Sequence, residues 1–266
     1  MYSVLDSQVG MRLPPELIDE IFSHLSLDEP QTLRNCSLVA KSWVYRSQKR
    51  LFETIHISEL THSSWANSIS PANLELLHHV HFLTLHTTTW WCHIPVHGIH
   101  HLSDYLPSLY NLESLVLSLM HLRVDFSQIK NFSAFRLTLS SLSLRNCHLS
   151  TYVLITLVNY FPNLVDLELR IPIYVGDYHR VPPLSRPLHG RLSVQTCGIN
   201  LPLFDELSDL PPELDELFLG GGFQGVIQYD HMVATYAGSV KCLRLLCGFN
   251  SKPLYTPSAF RMVRSC

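Results

Sequence analysis

The sequence predicts an α/β protein in which a short helical module precedes a long row of parallel β-strands. Two observations support this fold class. From Phe52 onward, a short leucine-rich pattern recurs about every 25 residues, as expected of repeated strands. The first fifty residues lack this pattern, and their apolar residues fall at helical spacing instead.

The repeat is clearest in LSSLSLRNCHL, residues 139–149, which matches the template L-x-x-L-x-L-x-x-C-x-L throughout. Similar segments, of which only this one and residues 189–199 carry the cysteine, place the first template position at Phe52, Val80, Leu112, Leu139, Leu164, His189, Leu214 and Val240. The successive steps are 28, 32, 27, 25, 25, 25 and 26 residues. Leucine-rich repeats of this kind are about 20–29 residues long, so the sequence predicts a leucine-rich-repeat solenoid over residues 53–250.

The spacing within each repeat predicts how the strands stack. Leucines in L-x-L share one face of a strand because strand side chains alternate, and stacked neighbours bury that face. The chain must then return on the outside, through predicted helices at 71–79, 151–161 and 225–237 and an irregular, proline-rich segment at 171–190. An ordinary α/β fold is the alternative, but its βαβ units need roughly 30 or more residues.

Residues 12–52 form the helical module, which contains the segment LPPELIDEIFSHL. Pro14 and Pro15 are well placed to open a helix, and Glu16 lies beside its positive end. The apolar residues that follow at helical spacing are Leu17, Ile18, Ile21, Phe22 and Leu25. A module this small cannot bury all its apolar surface internally. It therefore either caps the repeat array or docks on another protein, and composition favours neither.

This module resembles an F-box, whose signature is an L-P-x-E opening, apolar helix positions and a late tryptophan. The matching residues are Leu13, Pro14, Glu16, Ile21, Leu25, Leu33, Val39 and Trp43. The exit through Arg50, Leu51, Phe52 and Ile55 is similar to that of many fungal family members. Ala40 departs from the pattern, because many members carry cysteine there.

The resemblance implies a biological role, which the spacing of apolar residues alone does not indicate. F-box proteins are substrate receptors of Skp–cullin–RING ubiquitin ligases, in which the F-box docks on the Skp-type adaptor and C-terminal repeats hold the target. It therefore implies a non-enzymatic receptor without catalytic residues, cofactor or metal. The implied adaptor-binding residues are Leu13, Pro14, Glu16, Ile18, Ile21, Leu25, Leu33, Val39 and Trp43.

Side chains between the strand leucines are the candidates for contact with the unknown target protein. They face away from the core, and the strand side of a repeat array forms an extended binding surface. Arginines and exposed aromatic residues commonly anchor interfaces. The candidate target-binding residues are Arg145, Asp166, Glu168, Arg170, Arg191, Phe218 and Arg244.

Two other functions remain open at this point. The first is a leucine-rich-repeat scaffold without any link to a ligase. The second is a metal-binding protein that uses the loop His93–His101, part of the stretch WWCHIPVHGIHH. Only His97 and His101 have the i, i+4 spacing of a helical metal site, and no H-E-x-x-H motif accompanies them. An elongated surface loop is therefore the favoured interpretation.

The segment LGGGFQG, residues 219–225, contains a G-x-G-x-x-G motif at Gly220, Gly222 and Gly225. A dinucleotide site would also need an acidic residue about 20 positions further on, and no Asp or Glu follows Asp230. The motif falls where a repeat turns from strand to return segment, so it predicts a turn.

Composition limits the classes of protein to which this chain could belong. Hydrophobic residues make up 46% of the 266 residues and charged residues 15%, as in a chain with a packed core. A net charge of −3 argues against nucleic-acid binding, and no apolar run reaches a membrane span. Seven scattered cysteines and no secretory signal favour reduced thiols and a cytoplasmic or nuclear location. Residues 1–11 are expected to be a tail, and residues 251–266 a partial repeat or cap.

Overall fold

The structure is a computed structural model. It describes residues 13–25, 30–58, 71–86, 108–122, 130–170, 173–174, 181–196, 213–221 and 240–247. The chain divides into two compact units, Met1–Thr54 and Ile55–Cys266, which are described separately below.

The first unit contains the helices α1 (Pro15–His24), α2 (Pro30–Val39) and α3 (Lys41–Phe52). Pro15 stands at the first position of α1, where a missing N–H costs nothing, and the Ile18 amide donates to the Pro14 carbonyl. Helical periodicity places Ile18 and Phe22 on the inner side of α1, where they form a small core with Leu33 of α2. The Trp43 ring of α3 meets Phe22 edge to face, with 5.5 Å between ring centroids.

The second unit is built on parallel strands. The described strands are β1 (Thr54–Ser58), β2 (Phe82–His86), β3 (Ser114–Ser118), β4 (His121–Leu122), β5 (Ser141–Arg145), β6 (His148–Leu149), β7 (Asp166–Arg170), β8 (Ile173–Tyr174), β9 (His189–Thr196), β10 (Glu213–Gly221) and β11 (Cys242–Cys247). Eight of them form one sheet in the order β1-β2-β3-β5-β7-β9-β10-β11, and the three short strands form a second, β4-β6-β8. Each predicted repeat contributes one strand to the large sheet, in sequence order, which confirms the predicted strands.

The register of the large sheet aligns equivalent residues of successive repeats. One row of Cα partners consists of Leu83, Leu115, Leu142, Leu167, Leu192 and Leu217. A second row consists of Leu85, Leu117, Leu144, Leu169, Val194 and Leu219. No side chain in either row is more than 3% exposed. Burying a leucine stabilises a fold by roughly 1.5–3 kcal/mol, so these rows are the main stabilising feature of the sheet.

The segments between strands are partly helical. The helix predicted at 151–161 is confirmed as α4 (Thr151–Tyr160), whose first turn is capped by the Ser150 hydroxyl accepting from the Val153 amide. The segment predicted to be helical at 71–79 is the tighter 3-10 helix Pro71–His79, and Lys130–Phe135 forms another. The irregular return predicted at 171–190 is confirmed only in part: the described residues 181–188 contain neither helix nor strand, but Ile173–Tyr174 form the strand β8 and β9 begins at His189. The helix predicted at 225–237 lies outside the described residues.

Side chains also connect successive repeats, just before the strands begin. The Asn111 amide donates to the His78 carbonyl at 2.7 Å, and the Asn163 amide donates to the Leu137 carbonyl at 2.6 Å. Between these two contacts, the Thr138 hydroxyl donates to the Tyr110 carbonyl at 3.2 Å. Each of these three donors lies one residue before the first template leucine of its own repeat. The same contact therefore recurs in adjacent repeats. These bonds satisfy loop carbonyls that the strand ladder does not reach.

Gly190 is the clearest backbone constraint in the large sheet. Its φ is +75°, and a Cβ at this position would overlap the Val165 carbonyl oxygen. The same carbonyl accepts from the Arg191 amide at 2.7 Å, so it cannot move away without loss of a hydrogen bond between β7 and β9. Only glycine accepts this positive φ readily and has no Cβ to overlap the carbonyl.

Replacing Gly190 with alanine should therefore lower the free energy of unfolding by about 2 kcal/mol or more, because a strained φ and a steric overlap add. Urea denaturation followed by circular dichroism measures this loss. The neighbouring His189→Ala, at an exposed position, should cost less than about 0.5 kcal/mol. Equal effects of the two variants would contradict the constraint assigned to Gly190.

Cys147 belongs to the turn that follows β5. The preceding residue, Asn146, has a φ of +51°, and its amide donates to the Arg170 carbonyl at 2.7 Å. This turn directs the Cys147 side chain into the core, where it is 0% exposed and its thiol donates to the Leu117 carbonyl at 3.2 Å. Burial raises the pKa of the thiol to about 11, despite the opposing effect of backbone hydrogen bonds. The residue therefore acts as a small core group rather than a nucleophile.

Iodoacetamide should leave Cys147 unmodified in the folded protein at about pH 8, because only about one thiol in a thousand would be ionised and none would be accessible. Mass spectrometry of the peptide that carries Cys147 reports the modification. Unfolding in urea should expose the same cysteine to rapid alkylation. Rapid alkylation of the folded protein would contradict the buried position.

Candidate interaction surfaces

An apolar stripe runs along the outer side of α1. It consists of Leu13, Leu17 and Ile21, which are 43%, 46% and 38% exposed. Leu17 and Ile21 are four residues apart in α1 and share one face, which adjoins the face that carries the core residues Ile18 and Phe22. Leu13 precedes the helix, which begins at Pro15. We call these three residues the outer stripe. Exposed leucine and isoleucine side chains grouped in this way are unusual. They mark a candidate contact surface.

Other apolar residues of the first unit are exposed as well. Leu38 and Val39, at the end of α2, are 84% and 67% exposed, and Tyr45 of α3 is 59% exposed. Of these three, only Val39 is among the adaptor-binding residues that the resemblance implies. The F-box signature does not mark Leu17, Leu38 or Tyr45. Helical phase could have identified Leu17, because it lies four residues before Ile21 in the same helix.

The structure separates the implied adaptor-binding residues into two groups. Leu13, Pro14, Glu16, Ile21 and Val39 are exposed. Ile18 and Leu33 are only 5% and 1% exposed, and Leu25 and Trp43 pack against the same core. Ile18 and Leu33 thus offer almost no surface to a partner and hold the helices together. A sequence signature cannot make this distinction, because core and surface residues repeat at the same helical period.

Residues 11–58 match the family model of the F-box-like domain. The match covers the three helices and β1, and no match to the chain is found among curated proteins. An F-box-like domain suggests an adaptor role in a Skp–cullin–F-box ubiquitin ligase and implies binding to a Skp-type adaptor. Such receptors are typically non-enzymatic.

The second candidate surface is the outward side of the large sheet, which we call the strand face. Register places its side chains in three rows that cross the strands. From β5 to β11, the first row is Ser141, Asp166, Arg191, Glu216 and Cys242, and the second is Ser143, Glu168, Ser193, Phe218 and Arg244. The third row contains Arg145, Arg170, Gln195 and Gly220. All seven residues predicted to contact a target therefore lie in neighbouring rows.

Ion pairs join adjacent strands across this face. Arg145 Nη2 lies 2.8 Å from Glu168 Oε2, and Arg244 Nε lies 2.8 Å from Glu216 Oε1. Arg191 binds Asp166 with two hydrogen bonds, from Nε at 2.9 Å and from Nη2 at 2.6 Å. Cross-strand pairs of this kind each contribute roughly 0.2–1 kcal/mol. Their larger effect is to fix where the charged groups lie.

Glu168 has the most favourable surroundings for a negative charge on this face. Burial alone would raise the pKa of its carboxyl, but hydrogen bonds from Ser143 and Arg145 and the positive charges of Arg145 and Arg170 outweigh that effect. The pKa is lowered overall, so Glu168 is ionised at neutral pH. Because the folded pKa lies below the unfolded value, the stabilisation is present above the unfolded pKa. It is lost as the pH falls through the folded pKa.

Glu168→Gln should therefore reduce the acid sensitivity of the fold. We expect the wild type to lose more free energy of unfolding than the variant between about pH 7 and pH 3, with the difference growing below about pH 4.3. Urea titrations at several pH values measure it. Glu75→Gln, an exposed glutamate outside the strand face, should behave as the wild type. An identical pH profile for Glu168→Gln and the wild type would contradict this account.

Other predicted sites are not visible in the described residues. The loop His93–His101 lies outside them, as do Gly222 and Gly225 of the glycine motif. In the described part of the chain, no three His, Cys, Asp or Glu side chains are grouped to hold a metal ion. The helices described here include none long and apolar enough to cross a membrane.

The cysteines depart from one expectation. Cys36 and Cys147 are free thiols, as predicted, but Cys242 is disulfide-bonded. Sequence spacing could not indicate this, because spacing alone does not determine which cysteines pair.

Proposed function

We propose that this protein is a substrate receptor of a Skp–cullin–F-box ubiquitin ligase. Its F-box-like domain binds the Skp-type adaptor, and its strand face binds a target protein. The observation that carries the proposal is the match of residues 11–58 to the F-box-like domain, together with the exposed outer stripe in that domain. This role would place the protein in the cytoplasm, the nucleus or both.

The outer stripe supports adaptor binding on physical grounds. Its three apolar side chains keep roughly two-fifths of their surface in water. Covering such a patch removes apolar surface from water, which is the main driving force of protein association. Leu38 and Val39 offer further apolar surface in the same unit. The core residues Ile18 and Leu33 keep the helices in the arrangement that displays these groups.

We further propose that residues 53–250 form a leucine-rich-repeat solenoid. The period of about 25 residues, the parallel strands in sequence order and the two buried rows of strand residues support this assignment. In such arrays, the strand side provides an extended surface for protein ligands. The charged rows around Arg145, Arg170 and Arg191 are the part of that surface that we assign to the target.

Adaptor binding should depend on the outer stripe. The double substitution Leu17→Asp/Ile21→Asp places two charges in the proposed apolar contact and should weaken binding to purified Skp adaptor by tenfold or more, at about 1.4 kcal/mol per tenfold change. Isothermal titration calorimetry measures the affinity. Both side chains are exposed, so the fold should be retained, as circular dichroism can verify.

Leu137→Asp is the matched control, because Leu137 is an exposed leucine of the second unit, at 67%. It should bind the adaptor as the wild type does. Failure of folded wild-type protein to bind any Skp adaptor would refute the receptor role and leave a repeat scaffold without a ligase link as the better explanation. Wild-type affinity in the double variant would refute the assignment of the outer stripe.

A further inference from the structure

The strand face has two layers of charge. The arginines of its ion pairs, Arg145, Arg191 and Arg244, have side chains that are 40%, 52% and 60% exposed. The side chains of their partners Glu168, Asp166 and Glu216 are only 20%, 25% and 26% exposed. Guanidinium groups therefore lie over the carboxylates and form the outer surface. We call these arginines, with Arg170, the arginine layer.

Arg170 differs from the other three arginines. It is exposed, and within the described residues its side chain forms no ion pair or hydrogen bond. It influences Glu168 only through space. Among the described residues of the three rows from β5 to β11, four arginines face three carboxylates, which leaves one positive charge in excess. The whole chain has a net charge of −3, so this face is positive on a protein that is negative overall.

Arg145 and Arg170 are direct neighbours. They are Cα partners on β5 and β7, and adjacent strands lie about 4.8 Å apart. Arg145 uses Nε and Nη2 for Glu168, and no described residue accepts a hydrogen bond from its Nη1 or from the Arg170 side chain. A carboxylate has two oxygens and can accept from both guanidinium groups at once. Such a ligand would also relieve the repulsion between the two like charges.

The neighbours of Arg145 and Arg170 in the third row also favour a negatively charged ligand. The described neighbours of Arg145 and Arg170 along it are Ser118 and Gln195, which are polar and uncharged. The carboxylates of the face lie in the other two rows, beneath arginines of adjacent strands. A negatively charged group that approaches Arg170 therefore meets donors and positive charge before it meets a carboxylate.

We propose that the arginine layer binds an acidic segment of the target protein, with an aspartate or glutamate carboxylate bridging Arg145 and Arg170. This inference rests on the proposed function, since it names the class of target that the strand face selects. Charge complementarity is the argument for this occupant, because apolar or basic segments would leave the free arginine donors unpaired.

A peptide-binding experiment on the full chain tests the proposal. The probe is a short fluorescein-labelled peptide in which glutamate alternates with serine, and fluorescence anisotropy at low salt measures its affinity. The same peptide with glutamine in place of glutamate is the neutral control. Arg170→Gln should weaken binding of the acidic peptide by about threefold to fivefold, and Arg170→Glu by tenfold or more.

Lys241→Gln is the matched protein control. It also removes one positive charge from an exposed position, but Lys241 pairs with Asp215 and lies outside the three rows. It should bind the acidic peptide as the wild type does. A loss equal to that of Arg170→Gln would show a nonspecific charge effect and overturn the proposal. Equal affinity of the wild type for the acidic and glutamine peptides would also overturn it.

Further results distinguish failure of this inference from failure of the proposed function. If a phosphoserine version of the peptide binds through Arg170 while the glutamate version does not, the carboxylate assignment is wrong. If the Skp adaptor binds normally but the acidic peptide does not bind, the receptor role stands and only this inference fails. Peptide binding without adaptor binding would support the acidic ligand and refute the ligase connection.

Discussion

The register of the parallel sheet is the constraint on which the second unit depends. From β2 to β10, each strand pairs its two core positions with the equivalent positions of the next strand, and the register shifts only at the start of β10, between Leu214 and Glu216. Leucines thereby form two continuous buried rows, and the residues between them form rows on the opposite face. One change of register by a single residue would exchange these faces. The core and the candidate target surface are thus consequences of the same pairing.

The two candidate surfaces differ in chemistry. The outer stripe of the F-box-like domain is apolar, with Leu13, Leu17 and Ile21 at its centre. The strand face is polar, and its exposed layer is formed by arginines. Contacts on the first surface would depend on removing apolar area from water and respond little to salt. Contacts on the second would weaken as ionic strength rises. The two binding events can therefore be distinguished in solution by their salt dependence.

Periodicity predicted the elements of this fold better than it predicted their contacts. The eight strands of the large sheet and the helix α4 follow from alternation and helical spacing, which are local properties of the sequence, whereas the short strands β4, β6 and β8 were not predicted. The ion pair of Arg145 does not, because the residue opposite it on β7 is Arg170, and the carboxylate that it binds, Glu168, lies in the neighbouring row. Likewise, the resemblance implies adaptor contact for both Ile18 and Ile21, yet only Ile18 is in the core. These outcomes depend on side-chain packing, which a one-dimensional pattern does not contain.

Hydrogen–deuterium exchange of the full chain, alone and bound to the Skp adaptor, would locate the adaptor contact. Binding through the F-box-like domain should slow exchange of backbone amides in α1 and at the end of α2, and should leave exchange in the strands from β3 to β10 unchanged. That result would assign adaptor contact to the F-box-like domain and leave the strand face available for a target. Protection of the strands with no change in α1 would refute adaptor binding through the F-box-like domain.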